Sequence, residues 1–431
     1  AVGVSVIEVR LEGGKWTVVR PSRYARRVTA RSDCALAGPA PTHPLMRTAA
    51  DPVGRLVRGT HSCCAHGWTP WGTYLTCEEN WHVYFVNTGP LTDDQRRYRL
   101  SAKGRGVRWE EHDQRFDAGR HPNEFHRFGW VVEIDPYDPL TVPIKRTALR
   151  RFPHEGAASF VGKDRRFAFY MGDDAAFEYV YKFVPAKPWE PGNREANRNL
   201  LDAGTLYVAR FNADGTGAWL PLVHGTGPLT AANGFHDQGE VVVRTRQAAD
   251  ALGATKMDRT EWIVPHPATG EVYCSCTNNA ERGREGNEGA NPANRRAPNP
   301  YGHIIRWRED KGSPAATRFT WDVFVEAGPD GSGTVKGDPF ACPDGLWIDG
   351  RGTLWVETDI SPTSLLRGGF APLGNNQLLA VDPATGVFRR FLTGPRGCEI
   401  TGFHTTPDTR TAFVNIQHPG EVPGDRSDPA R

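Results

Sequence analysis

The sequence predicts an all-β protein, and more specifically a β-propeller, from three observations: a turn-rich composition, period-two apolar patterning and a recurring two-strand phrase. The 431 residues include 47 glycines, 34 prolines and 13 tryptophans. Such a mixture is typical of many short strands joined by tight turns. Helical periodicity is strong only over residues 238–257, which we expect to form a helix.

The recurring phrase starts with an acid or a cysteine that opens a short apolar strand. A turn follows, and a second apolar strand ends the phrase. Five copies are present, at residues 64–80, 155–174, 261–279, 344–359 and 399–419. Further strand pairs lie between the copies, so each copy with its following pair supplies about four strands, which is the content of one propeller blade.

The spacing of the copies bounds the number of blades. Successive copies from the first to the fourth end 80 to 105 residues apart, whereas a bare blade needs only about 40–50 residues. The sequence therefore predicts a single β-propeller catalytic domain over residues 1–431, with five or six blades, six being favoured, and with loop and short helical insertions. Residues 282–301 are rich in Gly, Asn and Pro and are predicted to be an insertion loop.

Charge and hydropathy exclude two classes of partner. Lys and Arg total 52 against 50 Asp and Glu, a formal net charge of +2, so no broad basic face for nucleic acid is predicted. No apolar run approaches the ~20 residues needed to cross a bilayer, and membrane insertion is not expected. The eight cysteines are too sparse for a disulfide framework and include no C-x-x-C pair of the kind found in structural zinc sites.

The phrase also places metal-binding side chains at equivalent positions. The first strand of each blade lines the channel of a propeller, so the residues that open the copies are expected to face one another: Cys64, Glu155, Glu261, Asp344 and Glu399. The second strands end in further oxygen donors: Glu79, Asp174, Asn279 and Asp359. Facing carboxylates repel unless a cation lies between them. Oxygen ligands with few histidines favour calcium or ferric iron, and one thiol among carboxylates indicates a transition metal. The alternative is that these acids cap turns or pair with arginines.

Five stretches resemble the PhoX family of bacterial alkaline phosphatases, and the likeness extends from about residue 54 to residue 421. They are TPWGTYLTCEEN at 69–80, YMGDDA at 170–175, ATKMDRTEW at 254–262, NPYGH at 299–303 and CPDGLW at 342–347. The resemblance implies a β-propeller that holds a pair of ferric ions and several calcium ions and hydrolyses phosphate monoesters.

Carried over residue by residue, the resemblance implies iron ligands, some shared with calcium, at Cys64, Glu79, Glu155, Asp344 and Glu399. It implies calcium ligands at Asp174 and Glu261, and it assigns the substrate phosphate to Arg259. A guanidinium can meet phosphate oxygens with a planar bidentate fork, and Glu261 lies two residues on, on the same side of an extended strand. For Arg259 alone, a surface salt bridge is the alternative.

Three features depart from the family pattern. Only 63 residues precede Cys64, so part of the first blade is expected to be missing at the N-terminus. Cys63 competes with Cys64 for the metal, and the spacing to Glu79 favours Cys64. A second phosphate-binding arginine has three candidates: Arg389, Arg390 and Arg396.

The family resemblance further implies export to the periplasm or beyond, and we expect a monomer acting on a small-molecule phosphoester. Two other functional classes fit a propeller with acids in its channel. One is a calcium-dependent lactonase or esterase, which needs neither thiolate nor iron. The other is a non-catalytic binding module in which calcium is a structural pin. A diverged family member without activity is the fourth hypothesis.

Overall fold

Strands dominate the computed structural model, which describes residues 2–420. Within that range there are 26 strands and four short α-helices, with no helical bundle, so the predicted all-β class is confirmed. The chain divides into two compact units, which are described separately. Unit 1 comprises Ala1–Phe169, Tyr181–Val208 and Leu220–Ala254, and unit 2 comprises Tyr170–Val180, Ala209–Trp219 and Thr255–Arg431.

In chain order the strands are β1 Val4–Val6, β2 Val9–Glu12, β3 Lys15–Val18, β4 Arg26–Val28, β5 Asp33–Ala37, β6 Leu56–Arg58, β7 Cys63–Trp68, β8 Tyr74–Glu78, β9 Val131–Ile134, β10 Ile144–Arg146, β11 His154–Val161, β12 Phe167–Asp173, β13 Val180–Pro185, β14 Gly204–Phe211, β15 Thr216–Pro221, β16 Thr260–Pro265, β17 Val272–Cys276, β18 His303–Glu309, β19 Arg318–Glu326, β20 Lys336–Gly337, β21 Pro343–Ile348, β22 Leu354–Thr358, β23 Gln377–Asp382, β24 Val387–Thr393, β25 Glu399–Thr405 and β26 Ala412–Gln417. The α-helices are α1 Asp93–Arg97, α2 Arg194–Asn197, α3 Gln238–Val243 and α4 Thr245–Leu252. Short 3-10 turns lie at Pro44–Met46, Trp81–Tyr84, Trp109–Glu111, Gln114–Phe116, Glu124–Arg127, Thr147–Leu149, Leu200–Asp202, Ala231–Asn233, Asp310–Gly312 and Gly368–Leu373. None of the helices in the described residues has both the length and the apolar character needed to cross a membrane.

Unit 1 is organised around an antiparallel ribbon of four strands, β7, β8, β9 and β10. Strand β5 pairs in parallel with β10, and β11 pairs in parallel with β7. Fully buried aromatic rings, including Trp81, Phe85, Phe125, Phe128 and Trp130, form the centre of a hydrophobic cluster beside this ribbon. The copy of the repeated phrase that opens at Cys64 therefore forms the hairpin and follow-on strands that the sequence predicts.

Unit 2 contains two runs of four antiparallel strands. One run is β16 to β19, with β15 pairing antiparallel to β19, and the other is β21 to β24, with the short strand β20 pairing in parallel with β24. The hairpin β25–β26 is the last copy of the phrase. A core of aliphatic and aromatic residues, among them Tyr273, Ile304, Phe340, Leu379 and Phe388, packs on these sheets. The prediction of about four strands for each copy and its follow-on pair is confirmed for the phrases that open at Glu261 and Asp344.

The opening strands of the phrases carry a β-bulge that the sequence pattern does not show. Pairing with the second strand shifts between Cys63 and His66 in β7, between Thr260 and Ile263 in β16, and between Pro343 and Leu346 in β21. Cys64, Glu261 and Asp344 thus lie inside the three irregular segments. A bulge bends the strand and redirects the side chains next to it, so the same local feature directs a candidate ligand in each of these strands.

The helix predicted over residues 238–257 is confirmed in part. It begins at α3, where the Asp237 side chain caps the helix by accepting the Glu240 N–H at 2.9 Å. Arg244 has non-helical dihedrals and separates α3 from α4. The helix ends at Leu252 because Gly253, at φ +66°, takes the left-handed conformation that terminates helices, and residues 253–257 are not helical.

Residues 282–301 contain neither helix nor strand, and the assignment of this segment as an insertion loop stays a prediction. Its first residue is fully buried and fixes it to the sheet: the Arg282 guanidinium pairs with Asp258 Oδ1 and donates to the carbonyl oxygens of Gly289 at 2.7 Å and Lys256 at 3.0 Å. The loop is therefore attached through a buried ion pair. The blade count and the single-domain organisation remain predictions.

One glycine controls the close approach of β7 and β11, the strands that carry Cys64 and Glu155. A Cβ on Gly67 would lie 1.9 Å from the carbonyl oxygen of Ala157, a distance that backbone atoms cannot tolerate. We expect Gly67→Ala to lower the free energy of unfolding by about 2–4 kcal/mol, measured by urea denaturation. Gly289→Ala is the control, because nothing lies within 4 Å of its Cβ position. Equal stability of the two variants would contradict this account.

Candidate metal centres

Three of the predicted ligands converge in unit 1. The Sγ of Cys64 and one carboxylate oxygen each of Glu79 and Glu155 lie within 4.8 Å of one another. Both carboxylates are buried, at 7% and 3% exposure, whereas Cys64 is exposed. Cys64 lies in the bulge of β7, Glu79 directly follows β8 and Glu155 is the second residue of β11. One thiol and two carboxylates at this spacing form a donor set suited to a transition metal.

The structure separates the two adjacent cysteines. Cys64 belongs to the donor group, while the Cys63 Sγ lies 3.4 Å from the hydroxyl of Thr60. Burial raises the pKa of Cys63, which keeps it a neutral thiol. Successive side chains of a strand point to opposite faces, and only one of the two cysteines can therefore join Glu79 and Glu155.

The two adjacent glutamates are separated in the same way. Glu78 is completely buried and is hydrogen-bonded throughout: its carboxylate accepts from Lys145 Nζ at 2.8 Å, Thr60 Oγ1 at 2.8 Å, Gly129 N at 2.9 Å and Trp130 N at 3.1 Å. Lys145 is equally buried. Glu78 therefore joins three segments of unit 1, and the next residue, Glu79, faces the donor group.

Arg259 lies among carboxylates in unit 2. Its Nε and Nη2 donate to the two oxygens of Asp174 at 2.9 and 3.0 Å, and Nη2 also donates to Glu261 Oε1 at 3.1 Å. These two acids raise the pKa of Arg259 further above its ordinary value, against the opposing effect of burial. A carboxylate oxygen of Glu261 lies within 4.8 Å of one from Asp344. The predicted phosphate clamp and three predicted ligands are thus neighbours.

Among the described residues of unit 2, Asp344 and Glu399 lie close to further carboxylates that raise their pKa values. Burial, followed by the charges of Asp359 and Asp174, raises the pKa of Asp344 well above its ordinary value. Burial, Asp344 and Asp359 raise the pKa of Glu399 to about 10, although the Gln417 amide donates to Glu399 at 2.7 Å. A raised pKa means that the surroundings disfavour the ionised carboxylates. A bound hard cation would stabilise that ionised form, so these acids suit such a cation.

Sequence reasoning missed one acid of this cluster. Glu357 is buried, and burial raises its pKa to about 7. Its Oε1 accepts the Phe403 N–H at 2.6 Å, while Oε2 has no hydrogen-bond partner among the described residues. The available signal was its position in β22, two residues before Asp359, which follows the strand directly, since residues two apart in extended chain share a face. This carboxylate oxygen, which accepts no hydrogen bond from the described residues and lies near Asp344 and Glu399, is a further candidate ligand for a cation.

The three arginine candidates for a second phosphate contact lie outside these hydrogen bonds. Arg390 donates from Nε to Gln377 Oε1 at 2.6 Å. Arg389 and Arg396 are exposed. Their proposed role remains a prediction.

The chain is similar to known phosphatases over nearly its whole length. A family model described as alkaline phosphatase PhoX matches residues 1–420. The structure of Pseudomonas fluorescens PhoX in complex with vanadate, a transition state analogue, matches with a TM-score of 0.94 and 47% sequence identity, covering 99% of this chain and 77% of that one. A putative 6-phosphogluconolactonase from Bacteroides uniformis matches with a TM-score of 0.28 and 10% identity over 67% of this chain and 70% of that one, too low a score to bear on the fold. No curated protein matches the chain.

The family match extends over nearly the whole chain, and the sequence-based prediction of both family and activity is confirmed. The chain belongs to the PhoX family of alkaline phosphatases and is a phosphomonoesterase.

Proposed function

We propose that this phosphatase hydrolyses small-molecule phosphate monoesters with the help of a ferric ion pair and several calcium ions. The observation that carries the proposal is the grouping of donor atoms: those of Cys64, Glu79 and Glu155 in unit 1 lie within 4.8 Å of one another, as do those of Glu261 and Asp344 in unit 2. The crowding of acids around Asp344, which raises its pKa well above the usual range, supports it. Several carboxylates that repel one another become stable when multivalent cations neutralise them. The structural match to a PhoX protein with bound vanadate supports a site for a phosphoryl group.

The ligand assignment follows the family resemblance. Iron would be held by Cys64, Glu79, Glu155, Asp344 and Glu399, some of them shared with calcium, and the thiolate of Cys64 favours a transition metal over calcium. Calcium, which prefers oxygen donors, would be held by Asp174 and Glu261. Cys64 is the better thiol ligand than Cys63 because it lies with Glu79 and Glu155.

When bound, these cations would neutralise the phosphate charge, activate an oxygen nucleophile and stabilise the leaving alkoxide. Arg259 would orient the substrate. Its Nε and Nη2, which here donate to Asp174 and Glu261, would become available to phosphate oxygens if those acids served as calcium ligands. The planar fork would then hold two oxygens in a fixed direction.

The fold and location belong to the same proposal. The runs of four antiparallel strands β16–β19 and β21–β24 have the strand content of propeller blades, and the match to the Pseudomonas fluorescens protein extends over 99% of the chain. We therefore propose a β-propeller, with six blades favoured over five. As in the family, the protein would act in the periplasm or outside the cell, as a monomer.

Metal analysis and activity on one preparation test the proposal. The purified enzyme is expected to contain iron and calcium, to show a thiolate-to-iron absorption band and to release phosphate from p-nitrophenyl phosphate. Calcium chelation should abolish activity and calcium addition should restore it, and vanadate should inhibit competitively. Fully active protein without iron would exclude the iron assignment, and activity unaffected by chelation would exclude calcium.

The adjacent glutamates provide a matched pair of variants. We expect Glu79→Gln to keep the fold but to lower metal content and kcat/KM by at least about 100-fold, since it removes a ligand. Glu78→Gln should instead lower the free energy of unfolding by about 3–5 kcal/mol, because Lys145 would remain buried without its partner. Metal analysis and urea denaturation of both variants measure these effects. If Glu78→Gln lost metal and activity while Glu79→Gln lost stability, the proposed roles would be refuted.

A further inference from the structure

Arg150 of unit 1 is a buried cation that the phosphatase site does not use. It lies between the 3-10 turn Thr147–Leu149 and strand β11, and 3% of it is exposed. Its Nη2 donates to the carbonyl oxygen of Leu222 at 3.1 Å. Within the described part of the chain, neither Nε nor Nη1 has a hydrogen-bond partner. At least three N–H groups of this guanidinium are therefore available to a ligand.

Other buried arginines of unit 1 form ion pairs with acidic side chains. Arg146 pairs with Glu133 at 2.6 Å and with Asp202 at 2.6 Å. Arg127 pairs with Asp51 at 3.2 Å and with Glu124 at 3.3 Å. Among the described residues no acid has this role for Arg150, and burial lowers its pKa to about 9.

The adjacent Arg151 shows that carbonyl groups can also satisfy a buried arginine. Its guanidinium donates to Phe128 O at 3.0 Å and to Phe125 O at 2.9 Å, and it lies over the ring of Trp81. Arg150 has one carbonyl partner where Arg151 has several. A buried charge with unsatisfied donors costs several kcal/mol by the usual desolvation estimates, so a partner with negative charge would be strongly favoured.

The backbone at Arg150 is also unusual. Its φ of +73° and ψ of −179° lie in a region that is populated almost only by glycine, and a side chain there costs about 1–3 kcal/mol. The turn is held by the Arg150 N–H, which donates to Thr147 O at 3.1 Å, and by the Arg150 carbonyl, 2.9 Å from His154 Nε2. Strain of this kind concentrates at ligand-binding positions, and it is independent of the unsatisfied donors.

We propose that Arg150 binds a monovalent inorganic anion, chloride, in the interior of unit 1. One guanidinium neutralises one negative charge, and the cost of removing an ion from water rises with the square of its charge. Chloride also needs no hydrogen-bond donor of its own and is satisfied by a few N–H groups. A phosphate dianion would leave a net buried charge and unfilled acceptor oxygens, so the site selects against the product of the enzyme's own reaction.

Bromide substitution in crystals of the metal-loaded enzyme tests the site directly. We expect an anomalous bromide peak at hydrogen-bond distance from Nε or Nη1 of Arg150. Density there without anomalous signal, as from ordered water, would overturn the proposal. Since this measurement uses the unaltered protein, it does not depend on whether a variant folds, and it is independent of the metal and substrate assignments.

A solution experiment provides the second test. At constant ionic strength, replacing gluconate by chloride should raise the thermal midpoint of the enzyme saturably, because a ligand that binds only the folded state stabilises it. Arg150→Met should remove this dependence and leave the midpoint equal in both salts. Arg146→Met is the control, since its charge is already paired within the protein, and the variant should be less stable yet keep the chloride response. A wild-type midpoint that is indifferent to chloride would also overturn the proposal.

Discussion

Arg259→Lys is expected to lower kcat/KM for p-nitrophenyl phosphate by about 100- to 1,000-fold while retaining most of the bound metal. Lysine keeps the positive charge near Asp174 and Glu261, which reduces the disturbance of these acids. It loses the planar fork that now spans both oxygens of Asp174 and that would span two phosphate oxygens in the substrate complex. Steady-state kinetics and metal analysis on the same samples separate an effect on the substrate from an effect on the cations.

Arg306→Lys is the matched control for that substitution. Arg306 makes the same bidentate contact, to Asp322 at 2.7 and 2.9 Å, between strands β18 and β19. This pair is partly exposed, and exposed pairs contribute little to stability. We expect activity within twofold of the unaltered enzyme. If Arg259→Lys were equally harmless, Arg259 would have only the structural salt-bridge role.

The sequence identified the hairpins of the repeated phrase because each contains two short apolar strands around a turn, and those features are local. It did not identify the bulges at Cys64, Glu261 and Asp344. A bulge is defined by the pairing of one strand with its partner, and the inserted residue leaves no mark in the composition of either strand.

The distinction between adjacent candidates also required three-dimensional contacts. Cys63 and Cys64, like Glu78 and Glu79, are chemically identical neighbours, and their roles are decided by which face of the strand meets Lys145 or Thr60. Spacing alone gave the preference for Cys64, and the structure supplies a physical reason for it. Glu357 lies inside strand β22, so the pattern of oxygen donors at the ends of the second strands does not include it.

The break in the predicted helix has a different cause. Apolar periodicity over residues 238–257 extends past Gly253, but glycine at φ +66° ends the helix. Arg150 was invisible from sequence for a more general reason. An arginine is ordinarily exposed or paired, and whether a carboxylate from a distant part of the chain reaches it is decided by the folded structure, where none of the described acids pairs with Arg150.

The enzyme stripped of metals by chelation is expected to lose stability as the pH rises, whereas the metal-loaded enzyme should not. Glu399 has an ordinary pKa of 4.5 that rises to about 10 in the folded protein. At pH values below the ordinary pKa the carboxyl is protonated in both the folded and unfolded states, so it contributes nothing to the pH dependence of stability. Between the two values the unfolded chain loses its proton while the folded protein retains it or ionises at a cost, so stability falls with pH across this window.

Bound cations reverse that dependence, because ligands must lose their protons to bind and metal affinity therefore rises with pH. Urea denaturation of both forms at several pH values between about 5 and 9 measures the difference. Asp344→Asn should stabilise the chelated form at the alkaline end, since it removes one of the charges that raise the pKa of Glu399, and it should weaken metal binding in the loaded form. Asp322→Asn, at an exposed acid paired with Arg306, should change neither curve appreciably. A chelated enzyme that became more stable with rising pH would mean that these carboxylates do not repel one another, and the physical reason for placing cations among them would be lost.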